Sequence, residues 1–253
     1  MAEPKRIELQ EAISAPKILS SKDRVTSSHS RTVWGIVLAL IENQGFIWLG
    51  AGQVTYDQST HGEGFMQSTT THLVRWTTAD LAIFEGDRAN RYEIIEGELF
   101  VTRAPEWKHQ AVCGRTVTLL TIWSDQSGLG QAAINPGIVF SESDAVIPDV
   151  VWASHERLEQ LLDEAGHLTA APELVVEVLS PGKTNEQRDR EAKLKLYSVR
   201  GVLEYWIVNA QSQNVAVYRR ENAVLKLVAT LYPQDELTSP ILPGFSCLVS
   251  QFF

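Results

Sequence analysis

The chain has 253 residues, 44% of them hydrophobic and 21% charged, the proportions of an ordinary folded protein. That excludes a disordered chain, a collagen-like repeat and a disulfide-stapled miniprotein. A net charge of −9 and a pI near 5.2 exclude a protein that coats nucleic acid by bulk electrostatics, though not an enzyme with a local basic patch. Cys113 and Cys247 form no CxxC, so neither a zinc knuckle nor a redox motif is present, and a reducing, cytoplasmic compartment is expected.

Met1 to Arg31 is polar, rich in Ser and Lys, and without a sustained period. Val33 to Val54 is apolar but broken by Gly35, Gly45, Gly50 and Gly52, a pattern for a short hairpin. Its longest apolar run, Val33 to Ile41, is about half of the ~20 residues that cross a bilayer, so no membrane span is expected. No Ala-x-Ala-like site follows it, and no secretory signal is expected. Residues 1–70 read as an N-terminal extension, disordered or loosely packed, and residues 71–253 as the domain.

From Thr77 the punctuation becomes regular. Leu81 to Glu85 predicts a short helix after Thr77-Thr78-Ala79-Asp80. Tyr92 to Ile95 and Glu98 to Thr102 predict a hairpin closed by Glu96-Gly97. Trp107 to Trp123 carries Val112, Leu119, Leu120 and Trp123 at helical spacing. Gln131 to Phe140, interrupted by Pro136-Gly137, and Val146 to Ala153 read as strands, and Ser154 caps a helix to about Ala165. Glu173 to Leu179 is a nearly continuous β-branched run, the mark of a strand buried on both faces. Thr184 and Gln187 form a capping-box pattern for a helix running to about Arg200. Glu204 to Val208 is the next strand, and Val215 to Arg219 with Val224 to Thr230 a late hairpin. The order predicts an α/β fold with a mixed central sheet flanked by helices. The apolar tail Phe245 to Phe253 suits a core better than an interface.

Two carboxylates stand where strand chemistry disfavours them. Asp149 opens Val150-Val151-Trp152, and Glu177 lies inside Leu174-Val175-Val176-Glu177-Val178-Leu179. A buried carboxylate costs several kcal/mol unless a cation or donors compensate it. A shared Mg²⁺ or Mn²⁺ would do so, since oxygen-only ligation suits those ions. The plainer readings are a strand-edge Asp near solvent and a Glu paired with one Arg or Lys. Asp189, Lys193 and Tyr197 recur every four positions and share a helix face, beside an apolar face of Ala192, Leu196 and Val199. The plain reading of Lys193 is an i,i+4 pair with Asp189, worth about 0.2–0.5 kcal/mol.

Taken in order, Pro148-Asp149-Val150, Glu177-Val178-Leu179-Ser180-Pro181, Asp189-x-x-x-Lys193-x-x-x-Tyr197 and Gly201-Val202-Leu203-Glu204-Tyr205-Trp206 resemble the Uma-type endonucleases. These are a branch of the restriction-endonuclease-like superfamily with the signature PD-(D/E)XK. Tyr92 to Leu99, His109 and Leu242-Pro243-Gly244-Phe245 fit the same pattern, over about Thr77 to Phe253.

The resemblance implies a restriction-endonuclease-like sheet and Mg²⁺- or Mn²⁺-assisted phosphodiester hydrolysis, with DNA as the substrate. Asp149 and Glu177 match the signature's acidic residues and would hold the metal. Leu179 stands where the simple signature has a lysine, and Lys193 matches the family's lysine moved to the following helix, where it would orient the water or offset phosphate charge. Lys183 is a weaker substitute. Asn209 replaces the more usual Asp at a position expected to shape a turn. Glu98 and His109 are expected at the rim of the site, as an accessory acid and a phosphate or leaving-group contact. A homodimer would suit cleavage of both strands. Two other classes stay open: an idle nuclease-fold module that binds nucleic acid or a protein, and a hydrolase of another phosphate ester.

Overall fold

The computed structural model describes residues 30–40, 47–57, 74–180, 182 and 186–253, the first two ranges as backbone only. The expected hairpin at Val33 to Val54 is an antiparallel pair, β1 (Ser30–Leu40) and β2 (Ile47–Asp57). The rest of the proposed extension lies outside the described residues, as do Lys183 and Thr184.

Thr77 and Asp80 cap a 3-10 turn, Thr78–Phe84, Asp80 accepting from both the Thr77 N–H and its hydroxyl. Strands β3 (Asn90–Ile95) and β4 (Glu98–Arg103) meet at Glu96 and Gly97, which both hold φ positive, at 52° and 75°. Left-handed conformation at both turn residues matches the twist of a two-residue hairpin. Helix α1 (Trp107–Ser127) ends where Gly128 turns left-handed at φ 67°.

The stretch Gln131 to Phe140 divides at the interruption Pro136-Gly137, and Val146 to Ala153, read as a single strand, divides at Pro148. Strand β5 (Gly130–Ile134) joins the large sheet, whereas β6 (Ile138–Ser141) and β7 (Asp144–Val146) join β3 and β4 in a four-stranded sheet. Strand β8 (Val150–Ser154) returns to the large sheet. Each proline, lacking an N–H to extend a ladder, stands where the chain changes sheets. Ser154 caps α2 (His155–Leu161), its hydroxyl accepting from the Arg157 N–H.

Strand β9 (Leu174–Val178) is buried throughout, as a strand with both faces covered should be. The following helix opens as a π-helical turn, Arg188–Lys193, and continues as α3 (Leu194–Arg200). The expected capping box involves Thr184, outside the described residues; the Gln187 side-chain amide donates forward to Glu191. Strand β10 (Glu204–Asn209) runs parallel to β9, and Asn209 shapes the next turn by accepting from the Gln211 and Ser212 N–H groups. Strands β11 (Asn214–Glu221) and β12 (Val224–Leu231) follow as a hairpin, then the short pair β13 (Glu236–Thr238) and β14 (Ser246–Leu248).

The large sheet has the order β12-β11-β10-β9-β8-β5, and only β9 and β10 are parallel. One face buries Val150, Trp152, Val176 and Trp206 against α1 and the tail residues Phe245 and Phe252, so the tail is core. The other face buries Val151, Val175 and Ile207 against Leu196 and Tyr197 of α3 and Ile95, Ile138 and Val146 of the smaller sheet. Val199, expected on the packed face of the helix, is 74% exposed instead. The π-helical turn, with its wider repeat, shifts the buried face onto Asp189, Lys193 and Tyr197, all of which are out of solvent.

Candidate active site

The ladder between β8 and β9 pairs Val150 with Val176 and Val151 with Val175. One further step sets Asp149 opposite Glu177. Side chains alternate along a strand, so both carboxylates share the face of Val151 and Val175, toward the π-helical turn and the smaller sheet. The Val178 N–H donates to Asp149 Oδ2 at 2.8 Å, fixing the junction. Asp149, Glu177, Val178 and Ser180 then line an open cleft with Arg91, Thr102, Arg103, Pro105, His109 and Arg188.

Lys193 sits behind this floor rather than in the cleft. Its Nζ donates to Glu177 Oε1 at 2.8 Å and lies 2.9 Å from Glu93 Oε1, and the side chain is wholly buried. Tyr197 also donates to Glu177 Oε1, at 2.9 Å. Asp189 pairs with Arg188 at 2.9 Å, so it is not Lys193's principal partner. Lys193 thus bridges two buried carboxylates, Glu177 and Glu93. The cations that do line the cleft are Arg91, Arg103 and Arg188.

His109, in the first turn of α1, points Nε2 at Asp149 Oδ2 from 3.2 Å. Its Nδ1 lies 3.5 Å from the Cys113 sulfur. Arg91 donates to Asp149 Oδ1 at 3.1 Å and to Asn135 Oδ1 at 2.7 Å. Glu98 is a different case. It is exposed at the turn end of β4, roughly 13 Å along the strand from Thr102 at the cleft. The acid that the structure does bring to the cluster is Glu93 on β3, fully buried, which accepts from the Ile147 N–H and faces Arg188 at 3.8 Å. A charged residue inside the apolar segment Tyr92-Glu93-Ile94-Ile95 is the same signal that marks Glu177, and it would have found Glu93.

The electrostatics are uneven. Among the described residues the cluster holds four buried carboxylates (Glu93, Asp149, Glu177, Asp189) against Arg91, Arg188 and Lys193. Burial opposes ionisation of Asp149, but the His109 hydrogen bond and the Arg91 and Lys193 charges hold it well below the usual carboxylate range. Burial also raises Glu93, where Lys193 and Arg188 outweigh it and lower the net value. For Glu177, burial and the charges of Asp149, Asp189 and Glu93 overcome the attraction of Lys193 and push the carboxyl up to about 8. Lys193 is held protonated by Glu177 and Glu93 against the cost of burial. A surplus of negative charge thus gathers where Glu177 meets Asp149, and a divalent cation there would relieve it. Oxygen donors at the wall of an open cleft suit such an ion.

The family model of Uma2, described as "Putative restriction endonuclease", matches residues 79–250. The chain belongs to this family. The chain is also similar to a crystal structure of "a putative nuclease belonging to DUF820 from Anabaena variabilis ATCC 29413". The two share 18% identity over 69% of this chain and 96% of that one, with a TM-score of 0.56, a likeness of fold. No curated protein matches the chain. No helix among the described residues is long and apolar enough to cross a membrane.

Proposed function

We propose that this Uma2 protein is a metal-dependent endonuclease that hydrolyses phosphodiester bonds of DNA, with Asp149 and Glu177 holding Mg²⁺ or Mn²⁺. The observation that carries the reading is their register-opposed placement on one face, at the floor of a cleft walled by three arginines. The family's description as a restriction endonuclease supports DNA as the substrate. The bound metal would neutralise charge on a phosphate oxygen and acidify a water. Arg103 and Arg188 would seat the phosphate in the cleft, where guanidinium forks match its oxygens. Lys193 and Tyr197 would fix the Glu177 carboxylate toward the metal, and Lys193 would keep it ionised once the ion is present. His109 would orient Asp149 and stand beside the leaving group.

A nicking assay on supercoiled DNA tests the proposal. Cleavage in Mg²⁺ or Mn²⁺, abolished by chelation and by Asp149→Asn or Glu177→Gln, is expected. Nicked rather than linear product would show that sites act singly and not in a homodimer.

A second reading, a nucleic-acid-binding module without turnover, is favoured by one observation. Asp149 already has both oxygens engaged, Oδ1 by Arg91 and Oδ2 by Val178 and His109. DNA binding without cleavage in either metal would establish it.

A further inference from the structure

Cys113 has no place in the chemistry above, yet it stands beside it. His109 and Cys113 are four residues apart on α1 and so lie on one face, one turn apart. The sulfur is 3.5 Å from His109 Nδ1, Asp149 Oδ2 from β8 lies 3.2 Å from the other ring nitrogen, Nε2, and one donor atom from each residue falls within 4.8 Å of the others, so that a modest turn of the ring would aim one nitrogen at a shared ion. All three side chains are buried, at 1%, 6% and 3% exposure. An imidazole and a thiol one helical turn apart with a carboxylate from a neighbouring strand form a three-donor set for a tetrahedral cation. His109 and Asp149 also line the cleft, which leaves the fourth position open to water.

We propose that His109, Cys113 and Asp149 form a second metal site, for a thiophilic divalent cation such as Zn²⁺, and that filling it inhibits the nuclease. The donor set decides the ion. Sulfur and imidazole discriminate against Mg²⁺, which prefers oxygen and its own water. The cation must displace the thiol proton, which leaves to solvent as the sulfur lone pair takes the metal, so a weakly thiophilic ion does not compete. Since Asp149 serves both sites, a Zn²⁺ held by Cys113 and His109 would take from the Mg²⁺ site one of its two carboxylates. The inhibition rests on the nuclease reading; the binding does not.

Co²⁺ added to the metal-free, full-length protein without nucleic acid gives the direct test, because cobalt bound to a thiolate absorbs by charge transfer in the near ultraviolet. The band is expected at one equivalent, displaced by Zn²⁺, lost in Cys113→Ser and retained in Glu177→Gln. It must also persist in Cys247→Ser, which leaves Cys113 as the single thiol and decides the matter even if Cys113→Ser does not fold. No band in wild type, or a band that survives in folded Cys113→Ser, overturns the site. Cleavage in Mg²⁺ is read in parallel. The Zn²⁺ concentration that halves it should rise in Cys113→Ser by more than the roughly hundred-fold that loss of an outer-sphere partner can cost. A protein that cleaves DNA but gives no band refutes this site alone. One that gives the band but never cleaves refutes the nuclease reading and leaves the site standing.

Discussion

Lys193 Nζ meets Glu177 Oε1 at 2.8 Å with neither side chain exposed, joining a helix and a strand sixteen residues apart. The same ammonium reaches Glu93 on a third element, in the smaller sheet. Lys193 is therefore the charge that ties the helix and both sheets together beneath the cleft.

Removing it should cost stability before it touches chemistry. Lys193→Ala strands two buried carboxylates, and breaking a buried pair typically costs about 3–5 kcal/mol. Urea unfolding reads the loss. Lys193→Met together with Glu93→Gln and Glu177→Gln should recover part of it, because no unpaired charge remains. A loss of only a few tenths of a kcal/mol would mean that the lysine is solvated, as the i,i+4 pair with Asp189 would have it.

Metal removal should be visible in the melting curve. If Asp149 and Glu177 hold the ion, Mn²⁺ at a hundred times its dissociation constant adds about 2.7 kcal/mol, and chelation reverses the rise in Tm. Asp149→Asn should abolish the shift. Equal stabilisation of wild type and Asp149→Asn would place the ion elsewhere.

Glu204 offers a pH test away from the cleft. Burial raises its carboxyl above the ordinary value, although Trp206 and Ser239 donate to it at 2.8 and 2.9 Å and Arg219 lies near. A carboxyl raised in the folded state binds more protons folded than unfolded between the two pKa values. Its contribution to stability is thus complete below the unfolded value of about 4.3 and is lost as pH rises through the folded one. Glu204→Gln should flatten that decline in denaturant titrations from pH 4 upward. An unchanged slope would show that Glu204 titrates normally.

The carboxylate pair was legible because Asp149 and Glu177 break apolar runs, and Lys193 because it recurs with Asp189 and Tyr197 every four positions. Arg91 gave no such sign, and Glu93, although a charge within an apolar run, gave none of its partner, for a physical reason. Strand β3 is buried at Glu93, Ile94 and Ile95 in succession, so polar-apolar alternation carries no sign of which residue faces the helix. Their partners, Asp149 and Lys193, are 58 and 100 positions away, a distance at which local pattern is silent. The strand break at Pro148 was in the sequence, but only the ladders show that it moves the chain between sheets.

The proposed boundary near residue 71 can be tested by shortening the chain. The family match begins at residue 79, and among the described side chains the two faces of the large sheet are covered by residues from Ile95 onward. A chain starting at Met66 should unfold cooperatively with a similar melting point. Loss of cooperative unfolding would assign the hairpin of β1 and β2 to the core.

Arg91 separates the two functional readings. In the present arrangement it bonds Asp149 Oδ1 at 3.1 Å and is partly exposed at the cleft. If it holds the carboxylate only until metal and phosphate arrive, Arg91→Ala should do two opposite things. Mn²⁺ should bind more tightly, since a competing cation has left Asp149, and DNA should bind more weakly. The salt dependence of DNA binding should shrink by about one phosphate contact, a slope change of roughly 0.9. If Arg91 is instead a permanent partner of Asp149 in a binding module, its loss strips the carboxylate of a donor and leaves the salt slope unchanged. Isothermal titration with Mn²⁺, and DNA binding across a salt series in Ca²⁺ to suppress cleavage, measure the two effects independently. Tighter metal binding with an unchanged salt slope would keep the metal site and remove Arg91 from the DNA interface.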